Sequence, residues 1–225
     1  MTWSTWLVPH RNRDRVFSFR GGVWHEYGTL MRDPRTPRAP RSPRIVRPLD
    51  PARLEELALA YVARFATSTG TLSQYLRRKL RERGWEAAAE VDSGPDLAAL
   101  VARFIAAGYV DDAGFARGRA SGLRRRGFGD RRIDQCLRGA GIGDDDRAAA
   151  RGDKGEARRA ALVMARKRGF GPFGSERPDP ANRQKQFAAM LRAGHPLDSV
   201  RFLIDAASEA DALEWVDEAA GDFET

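Results

Sequence analysis

Two adjacent carboxylates, Asp111 and Asp112, stand where a glycine-ended segment gives way to a helical one. Paired acids can hold a metal or divide general acid–base work between them. Here no histidine or third carboxylate lies nearby in sequence. The simpler reading is helix capping, in which a carboxylate accepts orphan backbone N–H groups and favours the positive end of the helix. On that reading Gly108 closes the preceding helix, while Tyr109 and Phe115 pack the joint. His10, His25 and His195 are too scattered to form a ligand set. His195 follows a helix-ending glycine and precedes Pro196, which suggests a capping or surface role. Cys136, between Ile133 and Leu137, reads as a small buried hydrophobe. A single cysteine supports neither a disulfide framework nor a thiolate metal cage. The chain contains no Gly-x-x-x-x-Gly-Lys-(Ser/Thr) loop and no Gly-x-Ser-x-Gly elbow. No catalytic residue, metal site or cofactor is expected, so the chain reads as a non-enzyme.

The residues that stand out are cations. Arg77-Arg78-Lys79 is followed by Arg81 and Arg83, Arg124-Arg125-Arg126 by Arg131 and Arg132, and Arg158-Arg159 by Arg166-Lys167-Arg168. A cation near a helix C-terminus gains a few tenths to about 1 kcal/mol from the helix dipole. That accounts for one arginine, not three in succession. A solvated basic face is the plain alternative. Recurrence at equivalent places along the chain would instead line positive charge along one side, as a polyphosphate backbone or a nucleoprotein groove requires. The overall balance agrees with this. All 39 Lys and Arg lie at or before Arg201, whereas eight of the 31 acids lie beyond it, leaving a basic body with an acidic end. No basic–aromatic alternation of a base-stacking platform is visible, so sequence-specific reading of nucleic acid is not indicated.

The elements that must position these groups are helices. Asp50-Pro51 is an N-cap with proline in the first helical position. Leu54, Leu57, Ala58, Tyr61, Val62 and Phe65 then share one face. Further helices are expected over about 71–83, from Asp96 to Gly108, and over 112–126, 130–140, 156–168, 181–193 and 197–207. Residues 33–48 carry a proline every three or so, with arginines between, and read as a disordered or polyproline-like basic arm. Two readings stay open for the leader: a hairpin around Gly21-Gly22, or a true start at Met31. No apolar run approaches the roughly 20 residues that span a bilayer. Met1–Pro9 lacks the pattern of a secretory leader. A cytoplasmic monomer is expected, with no membrane contact.

The chain also repeats itself. Arg124-Arg125-Arg126-Gly127-Phe128-Gly129 returns as Arg166-Lys167-Arg168-Gly169-Phe170-Gly171. The helix after each copy ends in Gly141-Ile142 or Gly194-His195, and Gly70 to Gly84-Trp85 is a weaker, earlier version. The longer third span places a loop insertion at residues 172–180. Units this small cannot bury their apolar faces alone, so they must stack as an elongated array. The expected fold is all-α, with three tandem three-helix, helix-turn-helix-like repeats. The division is 1–49 for the extension with its basic arm, 50–110, 111–154 and 155–207 for the repeats, and 208–225 for an acidic tail. Leu213, Trp215 and Val216 between the acids of that tail allow a short amphipathic helix, a merely solubilising role being the plainer reading.

Gly108-Tyr109-Val110-Asp111-Asp112-Ala113-Gly114-Phe115-Ala116 resembles the characteristic Gly-Tyr-(aliphatic)-Asp-Asp-x-x-Phe-Ala segment of the RecX family. Phe65-Ala66-Thr67-Ser68, Leu76-Arg77-Arg78-Lys79-Leu80 and the run from Arg126 to Ile142 are also similar to that family, and the resemblance covers residues 50–207. It implies a non-catalytic modulator that binds the RecA recombinase filament on single- or double-stranded DNA and mainly inhibits it, within the SOS response and recombinational repair. It also implies that Gly108, Tyr109, Asp111, Asp112 and Phe115 form the joint between units. The alternative from the residues themselves is a helix-turn-helix-type transcription factor, since short helices joined at glycine turns permit one.

Overall fold

In the computed structural model of the chain, residues 15–20, 23–29, 47–86, 94–175 and 178–221 are described. The basic arm before Arg47, residues 87–93 and the last four residues lie outside them. Two compact units divide the chain at Val46. In the first, β1 (Arg15–Arg20) and β2 (Val23–Thr29) pair antiparallel, with Phe19 opposite Trp24 and an irregularity between Arg15 and Phe17.

The second unit is all-α. Its helices are α1 (Pro51–Val62), α2 (Thr69–Arg83), α3 (Leu97–Ala106), α4 (Asp112–Arg125) and α5 (Asp130–Gly139), then α6 (Asp144–Ala149), α7 (Lys154–Arg168), α8 (Pro180–Arg192), α9 (Leu197–Asp205) and α10 (Glu209–Gly221). A 3-10 turn at Gly171–Phe173 precedes α8. Short polar side chains start most of them by accepting a backbone N–H from three residues ahead. Asp50 does so from Arg53 at 2.8 Å, Asp96 from Ala99 at 2.9 Å, Asp111 from Gly114 at 2.8 Å and Asp179 from Asn182 at 2.8 Å. Leu49 and Trp85 form an isolated parallel bridge that ties the start of α1 to the end of α2.

The apolar stripes collect into three successive cores. Leu54, Ala58, Leu72, Leu76, Leu100 and Phe104 fill the first, between α1, α2 and α3. Ala116, Ala120, Leu123, Ile133 and Leu137 fill the second, between α4 and α5, with Ala150 after α6. Met164, Met190, Val200, Leu203, Trp215 and Val216 belong to the third. Phe128, from the repeated Arg-Gly-Phe-Gly segment, packs against both the second and the third.

The acidic end departs from the expected solubilising tail. Ala212, Trp215, Val216 and Ala219 recur at helical spacing and are buried, so α10 packs on α7 as part of the third core. Its acids occupy the outward positions. Arg158 of α7 fixes it further: the guanidinium donates to the Trp215 carbonyl, lies 4.4 Å from the Trp215 ring centroid and approaches Glu218 at 3.6 Å.

Successive helix groups meet through a recurring contact between helix ends. The start of α2 touches the end of α5: Ser68 Oγ donates to the Ala140 carbonyl at 2.6 Å. A Cβ on Gly70 would sit 2.6 Å from that same oxygen and 2.8 Å from Gly141 Cα. The start of α5 touches the end of α8 in the same way. Gly129 N donates to the Ala193 carbonyl at 2.9 Å, Arg131 N to the Gly194 carbonyl at 3.3 Å. A Cβ on Gly129 would lie 2.4 Å from Gly194 C and O. Only glycine permits backbones this close.

Candidate nucleic-acid interface

The two copies of the basic run end α4 and α7, one in each of two successive helix groups. They converge. Arg126 at the end of α4, Arg132 on α5, Lys167 and Arg168 at the end of α7, and Arg192 at the end of α8 line one concavity of about 310 Å³. Gly127, Phe128, Met164, Ala189 and Ala193 complete its lining, and among the described residues no carboxylate lines it. Closeness of the α4 and α7 ends produces this: Lys167 Nζ donates to the Arg125 carbonyl at 3.4 Å. Each run ends its helix at a glycine, so each presents its cations where the helix dipole is negative and self-repulsion is partly offset.

Not every residue of the runs faces outward. Arg124 is only 10% exposed and joins three elements. It pairs with Asp130 at 3.0 Å and Glu156 at 3.6 Å, and donates to the Ala150 carbonyl at 2.8 Å. The expectation that Arg124 contacts a polyanion is therefore corrected: its guanidinium is committed to holding α4, α5 and α7 together. Arg125 is exposed and donates to Ser121 Oγ at 2.7 Å. Arg166 lies over the Phe173 ring at 5.5 Å. Arg126, Arg131 and Arg168 are exposed and have no carboxylate partner among the described residues. Arg192 escaped the sequence reading because it stands alone, with no run to mark it. Its last-turn position next to Ala193-Gly194 was the available signal.

The first cluster lies apart, on α2. Arg77, Arg78 and Arg81 line a second concavity of about 510 Å³ with Tyr61, Thr71, Gln74 and Tyr75. Glu82 holds Lys79 at 2.5 Å and Arg78 at 3.6 Å, and these cations keep its carboxyl below the usual glutamate range.

Around Asp111 both carboxylates are occupied by backbone. Asp111 caps α4, and Asp112 accepts from Thr69 N at 2.7 Å, which ties the first helix group to the second. Tyr109 does not pack that joint as expected. It is 56% exposed and leans on Phe104 at 5.6 Å, while Phe115 is partly buried on the second core. Among the described residues no three His, Cys, Asp or Glu converge as a metal site would require. None of the described helices is long and apolar enough to cross a membrane.

His195 is a further correction, since it is neither a cap nor a surface residue. It is buried at the joint between α5 and α8, and its Nε2 donates to the Gly127 carbonyl at 3.0 Å. Nδ1 is then the unprotonated nitrogen, buried without a partner among the described residues. Burial pushes the imidazole below the usual histidine range, against opposing pulls from the Gly127 carbonyl and Asp130.

Three helix groups joined in series, with cations gathered at one joint, define a helical-repeat protein whose site is a charged surface. No family model matches the chain. It is 33% identical over 175 residues to the regulatory protein RecX of Myxococcus xanthus (strain DK1622), an alignment covering 71% of this chain and 88% of that one. The chain therefore belongs to the RecX family of regulatory proteins. Its fold is similar to the crystal structure of RecX from Lactobacillus salivarius, with a TM-score of 0.52 and 16% identity over 74% of this chain and 96% of that one.

Proposed function

We propose that this chain binds the filament that RecA recombinase forms on DNA, and that it restrains recombinase activity without performing chemistry of its own. The observation that carries the reading is the convergence of Arg126, Arg132, Lys167, Arg168 and Arg192 at the joint between the second and third helix groups. Five cations among apolar lining residues, with no lining carboxylate among the described residues, suit a phosphodiester backbone or an acidic protein surface. The units stack in series, so one molecule reaches several neighbouring sites on a polymer, and bridging protomers opposes filament growth or ATP-driven motion. Arg131 and Arg125, exposed beside the concavity, extend the same surface. The chain acts as a cytoplasmic monomer in this scheme.

The test is recombinase ATPase on single-stranded DNA with the protein present at well below one copy per recombinase. Turnover should fall. Unchanged turnover, with filament formation verified, refutes the proposal. Footprinting on mixed-sequence duplex should give no discrete protected half-sites, whereas a transcription factor would give them.

A further inference from the structure

The chain lacks any alternation of aromatic and basic residues along its sequence, yet folding builds one in space. Tyr61 of α1 and Tyr75 of α2 stack at 4.2 Å with an interplanar angle of 19°. Phe65, just past the end of α1, continues the row, 5.3 Å from Tyr61. Each end of the row carries cations: Arg64 lies 5.5 Å from the Phe65 centroid, and Arg78 and Lys79 lie 5.6 and 5.8 Å from that of Tyr75. Beside the rings opens the concavity of about 510 Å³ lined by Arg77, Arg78 and Arg81, within the size range of small-ligand sites.

Core packing explains part of this arrangement but not all of it. Tyr61 and Tyr75 are partly buried against the first core, whereas Phe65 takes no part in that core and is 51% exposed. A single exposed apolar side chain is ordinary. A row of three rings, with an exposed phenylalanine at its end and a guanidinium-lined hollow at its flank, is a more specific combination. Among the described residues Arg64, Arg77 and Arg81 have no carboxylate partner, so they are available to an anion. Rings that offer π-faces, together with cations spaced to track a backbone, are the two components of non-sequence-specific single-strand binding.

We infer that Phe65, Tyr61 and Tyr75, with Arg64, Arg77 and Arg81, form a binding site on α1 and α2 for unpaired nucleobases of a single-stranded nucleic acid. A base stacks on the exposed Phe65 ring by displacing the exposed Arg64 guanidinium from it, and its neighbouring phosphates run over Arg77 and Arg81 towards the hollow. Duplex is a poorer ligand because its bases are already stacked on each other. The inference goes beyond the recombinase reading, which rests on the other concavity, between the second and third helix groups. It requires no recombinase, so either can fail while the other stands.

The experiment uses the full chain, without recombinase, in fluorescence anisotropy with labelled 20-nucleotide oligo(dT), oligo(U), an abasic phosphodiester oligomer of the same length, and a 20-base-pair duplex. The native chain should bind at least one of the two base-bearing single strands more tightly than the abasic oligomer, and the tighter of them identifies the preferred sugar. Phe65→Ala, a change at an exposed ring that leaves the core intact, should weaken that binding roughly 5- to 150-fold and leave the abasic oligomer and duplex unaffected. Phe65→Trp should retain it. Equal affinity of the native chain for abasic and base-bearing strands overturns the inference, as does a Phe65→Ala effect that is absent or the same on all four ligands. Ultraviolet crosslinking of 5-iodouracil-substituted oligo(dT) should attach to Phe65, Tyr61 or Tyr75, and attachment elsewhere alone also overturns it.

Discussion

Replacing Gly129 by alanine adds one methyl group at the most crowded point of the joint between α5 and α8. The native backbone there is extended, with φ −82° and ψ 164°, so alanine adopts it without conformational strain. The outcome is therefore set by space. The new Cβ would lie 2.4 Å from Gly194 C and O and 2.5 Å from His195 N. Ordinary contact needs about 3.4–4 Å, so the α8 end must retreat by about 1 Å, and its neighbours are main chain that cannot rotate away. Overpacking of this kind costs about 1–3 kcal/mol. Retreat also stretches Gly129 N to Ala193 O, Arg131 N to Gly194 O and His195 Nε2 to Gly127 O, each worth about 0.5–1.5 kcal/mol net. The lower unfolded-state entropy of alanine returns only about 0.4–1 kcal/mol. The expected loss is about 2–6 kcal/mol, or roughly 5–20 °C in midpoint for a unit of this size. Gly118→Ala on α4 is the control, because a Cβ there meets nothing within 4 Å and a mid-helix alanine is favoured by about 1 kcal/mol. Urea titration should move the two variants in opposite directions. Hydrogen exchange should quicken at Gly129 and Arg131 and stay unchanged on α1. A Gly129→Ala protein as stable as Gly118→Ala would refute the close approach and, with it, the fixed geometry of the joint.

Arg124→Ala should cost about 1–3 kcal/mol, since it leaves the Ala150 carbonyl and two half-exposed carboxylates without their cation. Arg126→Ala should leave stability within about 0.5 kcal/mol and instead lower the slope of DNA affinity against log salt by about 0.7–0.9. An unaltered slope returns Arg126 to the solvated surface. For His195 the folded chain prefers the neutral ring, so the unfolded chain takes up its proton first. Stability is then level above the usual histidine range and falls as pH drops from about 6.5. Comparing wild type with His195→Leu between pH 8 and 5 isolates this, and parallel curves would contradict it. Trp215→Ala should cost about 3–5 kcal/mol, measured by thermal unfolding. A cost under 1 kcal/mol would mean that α10 is dispensable to the third core.

The glycine-punctuated helices and the repeated basic segment were readable because both rest on local rules: cap residues, apolar spacing and a left-handed residue at a helix end. Neighbouring arginines were not separable in that way. Arg124 follows the inward Leu123 and sits four residues after the inward Ala120, at the edge of the buried stripe, where its partners Asp130 and Glu156 come from two other helices. α6 went unnoticed because six residues opening with Asp144-Asp145-Asp146 carry no apolar period. α10 was legible as a possible amphipathic helix through Trp215 and Val216, but its place in the third core was hidden, because two of its four buried positions are alanines and its acids dominate the composition. Tyr61 and Phe65 share a face through their spacing of four, but Tyr75 joins them only through packing between α1 and α2, which no linear spacing records.

The contact that joins α5 to α8 is made almost wholly of peptide atoms and glycine Cα, and the one that joins α2 to α5 adds the Ser68 hydroxyl to the close approach of Gly70 and Gly141. The distance from one helix group to the next is thus set by main-chain van der Waals radii, which no side-chain substitution elsewhere alters. Surface charge can be redistributed, and the connection between α7 and α8 can lengthen, while the pitch of the array stays constant. A chain built this way can diverge far in sequence and still hold its helix groups at one spacing.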